Sequence, residues 1–222
     1  MMISPEVYYQ MNLKDKSQPE ILKEIRSLKR EINQLRRDLE ECSLEPEPFF
    51  PSRLTRLKCN REYLDRAILT YEETGGKYVL TKDEKKSRDF DRALDSLHKL
   101  VFSIGGYFSG FDTKTYTVIG DKVVLKAEHT FKRLPVICYP LTKEEFVSGL
   151  KEIHIGEWRK SYCAPHELDG TQWEMEIYFE GNRKAVRISG SNAFPYNFID
   201  LKEFLEIDEE DAEDTEDETP FR

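Results

Sequence analysis

The sequence predicts an α+β protein in three parts: an antiparallel, coiled-coil-like helical hairpin over residues 1–76, an antiparallel β-sheet domain with short helices over 77–207, and a disordered acidic tail over 208–222. Three observations carry this reading. Apolar residues first recur at the 3.5-residue spacing of a helical seam, then at the period of two that marks strands, and the last stretch has no apolar pattern. With 222 residues, 38% of them hydrophobic and 12% aromatic, the chain has enough apolar material for a buried core.

The first seam runs through Ile21, Ile25, Leu28, Ile32, Leu35, Leu39 and Cys42, alternating steps of four and three. Ser17 and Glu20 have the spacing of a capping box, and Pro19 is tolerated in a first turn, so a helix is expected from about Gln18 to Glu41. The connector SLEPEPFFPS stops that helix with three prolines. A second seam, Leu54, Leu57, Arg61, Leu64, Ile68 and Tyr71, ends at Gly75-Gly76, the residue type that best tolerates a left-handed helix stop. The short linker folds the two back on each other, and Arg61 interrupts the second seam as a residue that sets register or reaches a partner. Seams of three to four heptads are marginal alone, so the hairpin is expected to pack on the rest of the chain or on a second copy.

Thr81 with Glu84 and Thr142 with Glu145 are further capping boxes and predict helices through about Leu94 and about Ile153. Between them the segments 100–108, 114–119 and 122–129 are rich in β-branched and aromatic residues, with Gly120-Asp121 as a hairpin turn. The clearest strand is TQWEMEIYF. Thr171, Trp173, Met175, Ile177 and Phe179 alternate with Gln172, Glu174, Glu176 and Tyr178, and after a turn at Glu180-Gly181-Asn182 the apolar face continues through Val186 and Ile188.

The stretch RISGSNAFPYNF tests whether a glycine between serines is a phosphate cradle. Such a cradle needs main-chain N–H groups converging at a helix N-terminus. Here the next helix begins at about Phe198 behind Asn197, and a proline and two aromatics intervene. The stretch reads as a strand-to-helix connector, with Ser189, Ser191 and Asn192 beside Asp169-Gly170 as a candidate polar pocket.

Charge and cysteine usage narrow the classes. The net charge of −9 is concentrated at the end, where residues 206–218 hold ten of the 43 acids and no base. That block is self-repelling and predicts disorder. Cys42, Cys59, Cys138 and Cys163 include no C-x-x-C pair, so reduced thiols are expected. His154, Cys163 and His166 lack the paired spacing of a structural zinc site, and no metal or cofactor is expected. No apolar run is long enough for a membrane helix, and the start lacks the order of a secretory signal, which places the chain in the cytoplasm.

Three segments taken together, SPEVYYQMNLKDKSQPEILKEIRSLKREI, VFSIGGYFSGFDTKTYTV and LDGTQWEMEIYF with SGSNAFPYNF, resemble a family of uncharacterised bacterial proteins found largely in gut anaerobes. The resemblance covers most of the chain except the acidic tail. It implies a helical segment joined to a β-rich one in a bacterial cytoplasm, and it carries no catalytic residue across.

No G-x-S-x-G, H-E-x-x-H, Walker or zinc-deaminase pattern is present. A non-enzymatic binding or regulatory protein acting through protein–protein contacts is therefore the first reading. A nucleic-acid-linked accessory or anti-defence protein is the second, through the acidic tail or the candidate interaction residues Arg30, Arg36, Arg37 and Arg61. An enzyme without a recognisable motif is the third, drawing on Asp169, Ser189, Ser191, Asn192 and His166.

Overall fold

The structure, a computed structural model, describes residues 2–41, 50–106, 108–164 and 170–206, with the backbone alone over 132–138. Helix α1 (Pro5–Asn12) precedes a hairpin of α2 (Gln18–Glu41) and α3 (Arg53–Glu73), and α4 (Lys82–Leu94) leads into the strands. These are β1 (Leu97–Gly106), β2 (Gly110–Ile119), β3 (Lys122–His129) and β4 (Lys132–Thr142). Helix α5 (Lys143–Glu152), a 3₁₀ turn (Ile155–Glu157), β5 (Ser161–Cys163), β6 (Gln172–Phe179), β7 (Val186–Ser191) and α6 (Phe198–Phe204) follow. All seven strands form one sheet in the order β4-β3-β2-β1-β6-β7-β5, antiparallel except for the β5–β7 pair. The fold is α+β, with helices first and strands after.

Local chemistry sets the boundaries. Both reciprocal bonds form in the Thr81–Glu84 and Thr142–Glu145 boxes, which satisfy the free N–H groups at the starts of α4 and α5. Gly75 takes a left-handed φ of 85° just beyond α3. Asn197 departs from its expected role, because its side chain makes no cap bond to α6. It is 5% exposed and is drawn inward instead, accepting from Trp158 Nε1 at 2.9 Å and donating to the Ile153 carbonyl. The other end of α6 is closed by side chains from the sheet: Tyr139 donates to the Phe204 carbonyl and Tyr116 to the Leu205 carbonyl, both at 2.6 Å.

The strand alternation sorts side chains onto two faces. Leu100, Phe102, Tyr116, Leu125, Met175 and Ile177 lie on the buried one, against α4, α5 and α6. The hairpin docks on this same face: Ile32 and Leu35 of α2 and Leu57 of α3 belong to the sheet core, whereas Ile21, Ile25 and Leu28 pack with α1 and with Tyr63 and Ala67 of α3. The units expected at 1–76 and 77–207 therefore share a core. Ion pairs Lys29–Glu84 at 2.6 Å and Arg159–Glu40 at 2.8 Å lie along the junction.

Helix α1 and the short parallel strand β5 were not expected from the sequence. Because α1 covers a second side of α3, the residues buried there include Asn60, Tyr63, Ala67 and Thr70 beside the predicted seam. Cys59 and Cys163 are free thiols, and no helix among the described residues is long and apolar enough to cross a membrane. Cys42, the connector at 42–49, His166, Asp169 and the acidic tail at 208–222 lie outside the described residues.

Candidate functional site on the open face of the sheet

The helices that reach the sheet core all pack on one side of it, and among the described residues no helix lies over the other. The strand register arranges that open face in rows. One row reads Ser161, Ser189, Glu174, Ser103 and Thr113 across β5, β7, β6, β1 and β2. The adjacent row reads Cys163, Ser191, Gln172, Gly105 and Phe111. Facing positions on neighbouring strands stand about 4.5–5.5 Å apart. A hollow of about 490 Å³ lies over these rows, lined by Ser161, Ser189, Glu174 and Ser103 of the first and by Cys163, Ser191, Gln172 and Phe111 of the second.

The hollow is built for hydrogen bonding rather than for dense charge. Ser103 and Thr113 hydroxyls bond each other at 3.0 Å, while Glu174 is exposed and makes no hydrogen bond or ion pair with a described residue. The neighbouring base, Arg187, is held by Glu176 at 2.5 Å. A carboxylate ringed by hydroxyls, one primary amide and one thiol therefore faces solvent.

Of the predicted pocket residues, Ser189 and Ser191 line this hollow. Asn192 follows them at the end of β7 with φ 50°, its N–H donating to the Thr171 carbonyl at 2.9 Å, and Asp169 lies outside the described residues. Ser103, Ser161, Gln172 and Glu174 were not singled out beforehand. The signal available for them was their place on the polar side of each alternation; the register that brings them together spans long connections.

The four candidate arginines do not form one patch. Arg30 and Arg37 are exposed on α2 and bond within that helix, to the Arg26 carbonyl and to Gln34. Arg36 and Arg61 turn inward onto Glu157. Arg61 donates to both Glu157 oxygens, at 3.1 and 2.7 Å, and to Tyr196 Oη at 2.8 Å. Arg36 donates to the Glu157 carbonyl at 3.0 Å, and Tyr196 donates to the Glu157 carboxylate at 2.9 Å.

Burial alone would raise the Glu157 pKa, but the Arg61 charge and its hydrogen bonds outweigh it and hold the carboxyl below its usual range. His154 beside them sits in left-handed backbone, φ 57°. Burial, then the charges of Arg61 and Arg36, push it down to about 4 against the pull of Glu157, so the ring is neutral. This node satisfies its charges within the chain and ties the hairpin to the turn before β5. It is a clamp rather than a ligand site.

His154 belongs to the clamp on the helical side and Cys163 to the open face, so the sheet separates them. Among the described residues no group of three His, Cys, Asp or Glu side chains comes together as a metal centre. No family model matches the chain, and neither does any curated protein or solved structure.

Proposed function

We propose that this is a binding protein that acts by protein–protein contact, with the open sheet face around the hollow as its contact surface. The observation that carries the reading is the one-sided sheet, whose seven strands are covered by helices on one face only among the described residues. At about 4.8 Å per strand and 3.3 Å per residue the face measures roughly 30 by 25 Å. That is close to the area of about 800 Å² that each partner gives to a standard interface.

The charges favour a protein partner over nucleic acid. Lys99, Lys122, Lys126 and Arg187 share the face with Glu128, Glu174 and Glu176, so among the described residues bases are interleaved with acids rather than drawn into the basic stripe that phosphates require. Binding also accounts for the hollow better than catalysis does. Among the described residues none of its serines is hydrogen-bonded to a histidine or carboxylate that would activate it. The bacterial cytoplasm implied by the sequence resemblance is the setting of this proposal.

The test is a photo-reactive amino acid at Ser189 in the full chain, compared with the same probe at Lys23 on the outer side of α2, irradiated in the cells that make the protein. A discrete adduct from position 189, absent from position 23 and abolished by Glu174→Arg, is the expected result. Equal labelling at the two positions, or an adduct indifferent to Glu174→Arg, overturns the reading.

A further inference from the structure

The apolar seam by which a helical hairpin could join a second copy is occupied within this chain. Ile21, Ile25 and Leu28 pack with α1 and α3, and Ile32 and Leu35 with the sheet core. Among the described residues the surface without a helix over it is the open face of the sheet, and its charges are sorted along the strands. Lys122, in the row next to the β2–β3 turn, and Lys99, in the row after it, lie toward one end. Glu174, level with Ser103 and so about 13 Å further along the strands than Lys99, lies toward the other.

The charges between these ends cancel in pairs, Arg187 with Glu176 at 2.5 Å and Lys126 with Glu128 at 2.7 Å. Lys99, Lys122 and Glu174 form no ion pair with a described residue. Lys99 leans over the Tyr178 ring, its Nζ 4.3 Å from the centroid, and thus onto β6, the strand that carries Glu174. Uncharged Val101 and Thr115 face each other in the middle row.

We propose that a second copy of this chain covers the open face, related to the first by a two-fold axis that lies across the strands near Val101. The inference rests on the reading of this face as the contact surface. Such an axis reverses the strands of one copy over the other, so that Lys99 of each copy meets Glu174 of the other. The hollow beside Glu174 gives the lysine side chain its depth, and the flanking Ser103 and Ser189 hydroxyls are further acceptors for the ammonium. Val101 packs on its own symmetry copy, and the internally neutral pairs meet theirs without net repulsion. An axis along the strands would instead set the Glu174 rows over each other and the Lys99 rows over each other, so the charges select one arrangement. Stacked sheets keep their strands nearly aligned, which either direction of the strands allows. A face of roughly 30 by 25 Å is close to the area of about 800 Å² per partner in a standard interface and well below that of an obligate dimer, so the association is reversible.

The experiment is sedimentation velocity of the full chain over a concentration series at low and high salt. A monomer–dimer equilibrium that salt weakens is expected. Glu174→Lys and Lys99→Glu each weaken the dimer about tenfold or more, because either substitution sets like charges together at two symmetry-related contacts. An equimolar mixture of the two variants recovers the dimer: one contact is then made by the two introduced charges and the other by the two original ones, and both are opposite in sign. That recovery also shows both variants to be folded. A chain that stays monomeric throughout the series, a dimer that neither substitution moves, or a mixture that stays dissociated overturns the proposal. The photo-reactive probe at Ser189 separates this failure from that of the contact surface. An adduct of two identical chains is expected; a discrete adduct with a different protein, from a chain that sediments as a monomer, keeps the contact surface and overturns the second copy, whereas equal labelling from Ser189 and Lys23 overturns the surface itself.

Discussion

Arg61 is the residue whose loss should most clearly expose how the hairpin is held to the sheet. Arg61→Met keeps the aliphatic stem and removes two charge-assisted bonds to Glu157 and one to Tyr196. Breaking a fully buried pair from one side costs about 3–5 kcal/mol. Here the side chains retain 18% and 21% exposure and Glu157 keeps Tyr196 and, at 3.6 Å, Arg36, so the figure is discounted to about 2–3 kcal/mol. For a chain of this length that is a fall of roughly 5–10 °C in melting temperature. The double variant Arg61→Met/Glu157→Gln removes both charges together and should lose less than the two single variants summed, by at least about 1 kcal/mol. Urea unfolding followed by tryptophan fluorescence measures all four corners, since Trp158 and Trp173 are both buried near the node or the core. The sign with pH is also fixed. A folded carboxyl pKa below the ordinary value gives stability that is complete above about pH 4.5 and is lost as pH falls through the lowered value, so the Arg61 effect should shrink only on that acid side. A single-variant cost under about 0.5 kcal/mol, or additive singles, would refute the clamp.

Two further outcomes follow from particular positions. His154 is pushed down to about 4 from an ordinary 6.5, so the folded state binds fewer protons between those values and stability falls on acidification from 6.5 toward 4. His154→Asn suits the left-handed backbone and cannot titrate; its melting temperature should change less than the parent's between pH 7 and 5, and parallel pH profiles would show that the ring is not buried neutral. Gly190 leaves no room for a Cβ, which would run into the Trp173 indole nitrogen and the Ala193 carbonyl to which that nitrogen donates at 3.0 Å. Gly190→Ala should therefore cost about 2–3 kcal/mol in chemical unfolding, while Ser189→Ala on the open face stays within about 0.5 kcal/mol. Equal costs for the two would mean that the faces of β7 are assigned the wrong way round.

What the sequence disclosed and what it withheld divide along one physical line, the range over which a contact acts. Helix α2 was legible to the residue because its seam, Ser17–Glu20 pairing and proline-rich exit are all local, and the α4 and α5 starts were legible through their capping boxes. The β6–β7 hairpin was legible for the same reason: its turn at Gly181 sets the register that places Glu174 opposite Ser189. Helix α1 was not, since eight residues hold barely two turns of pattern and its place is fixed by Tyr63, more than fifty residues away. The same distance hid the candidate site. The hollow needs Ser103 from β1 and Ser161 from β5 beside that hairpin, and a three-residue strand has no period to read. The burial of Asn60 was hidden in the same way, since its neighbours in α3 do not signal it and the side that buries it is covered by α1. Arg61 shows the limit most directly. Its interruption of an apolar seam marked it as a residue with a task, but only the fold supplies Glu157, 96 residues on, and so turns an apparent outward-reaching contact into an internal one. An ionisable residue in a seam is therefore legible as a demand for a partner, while the partner's identity belongs to the topology.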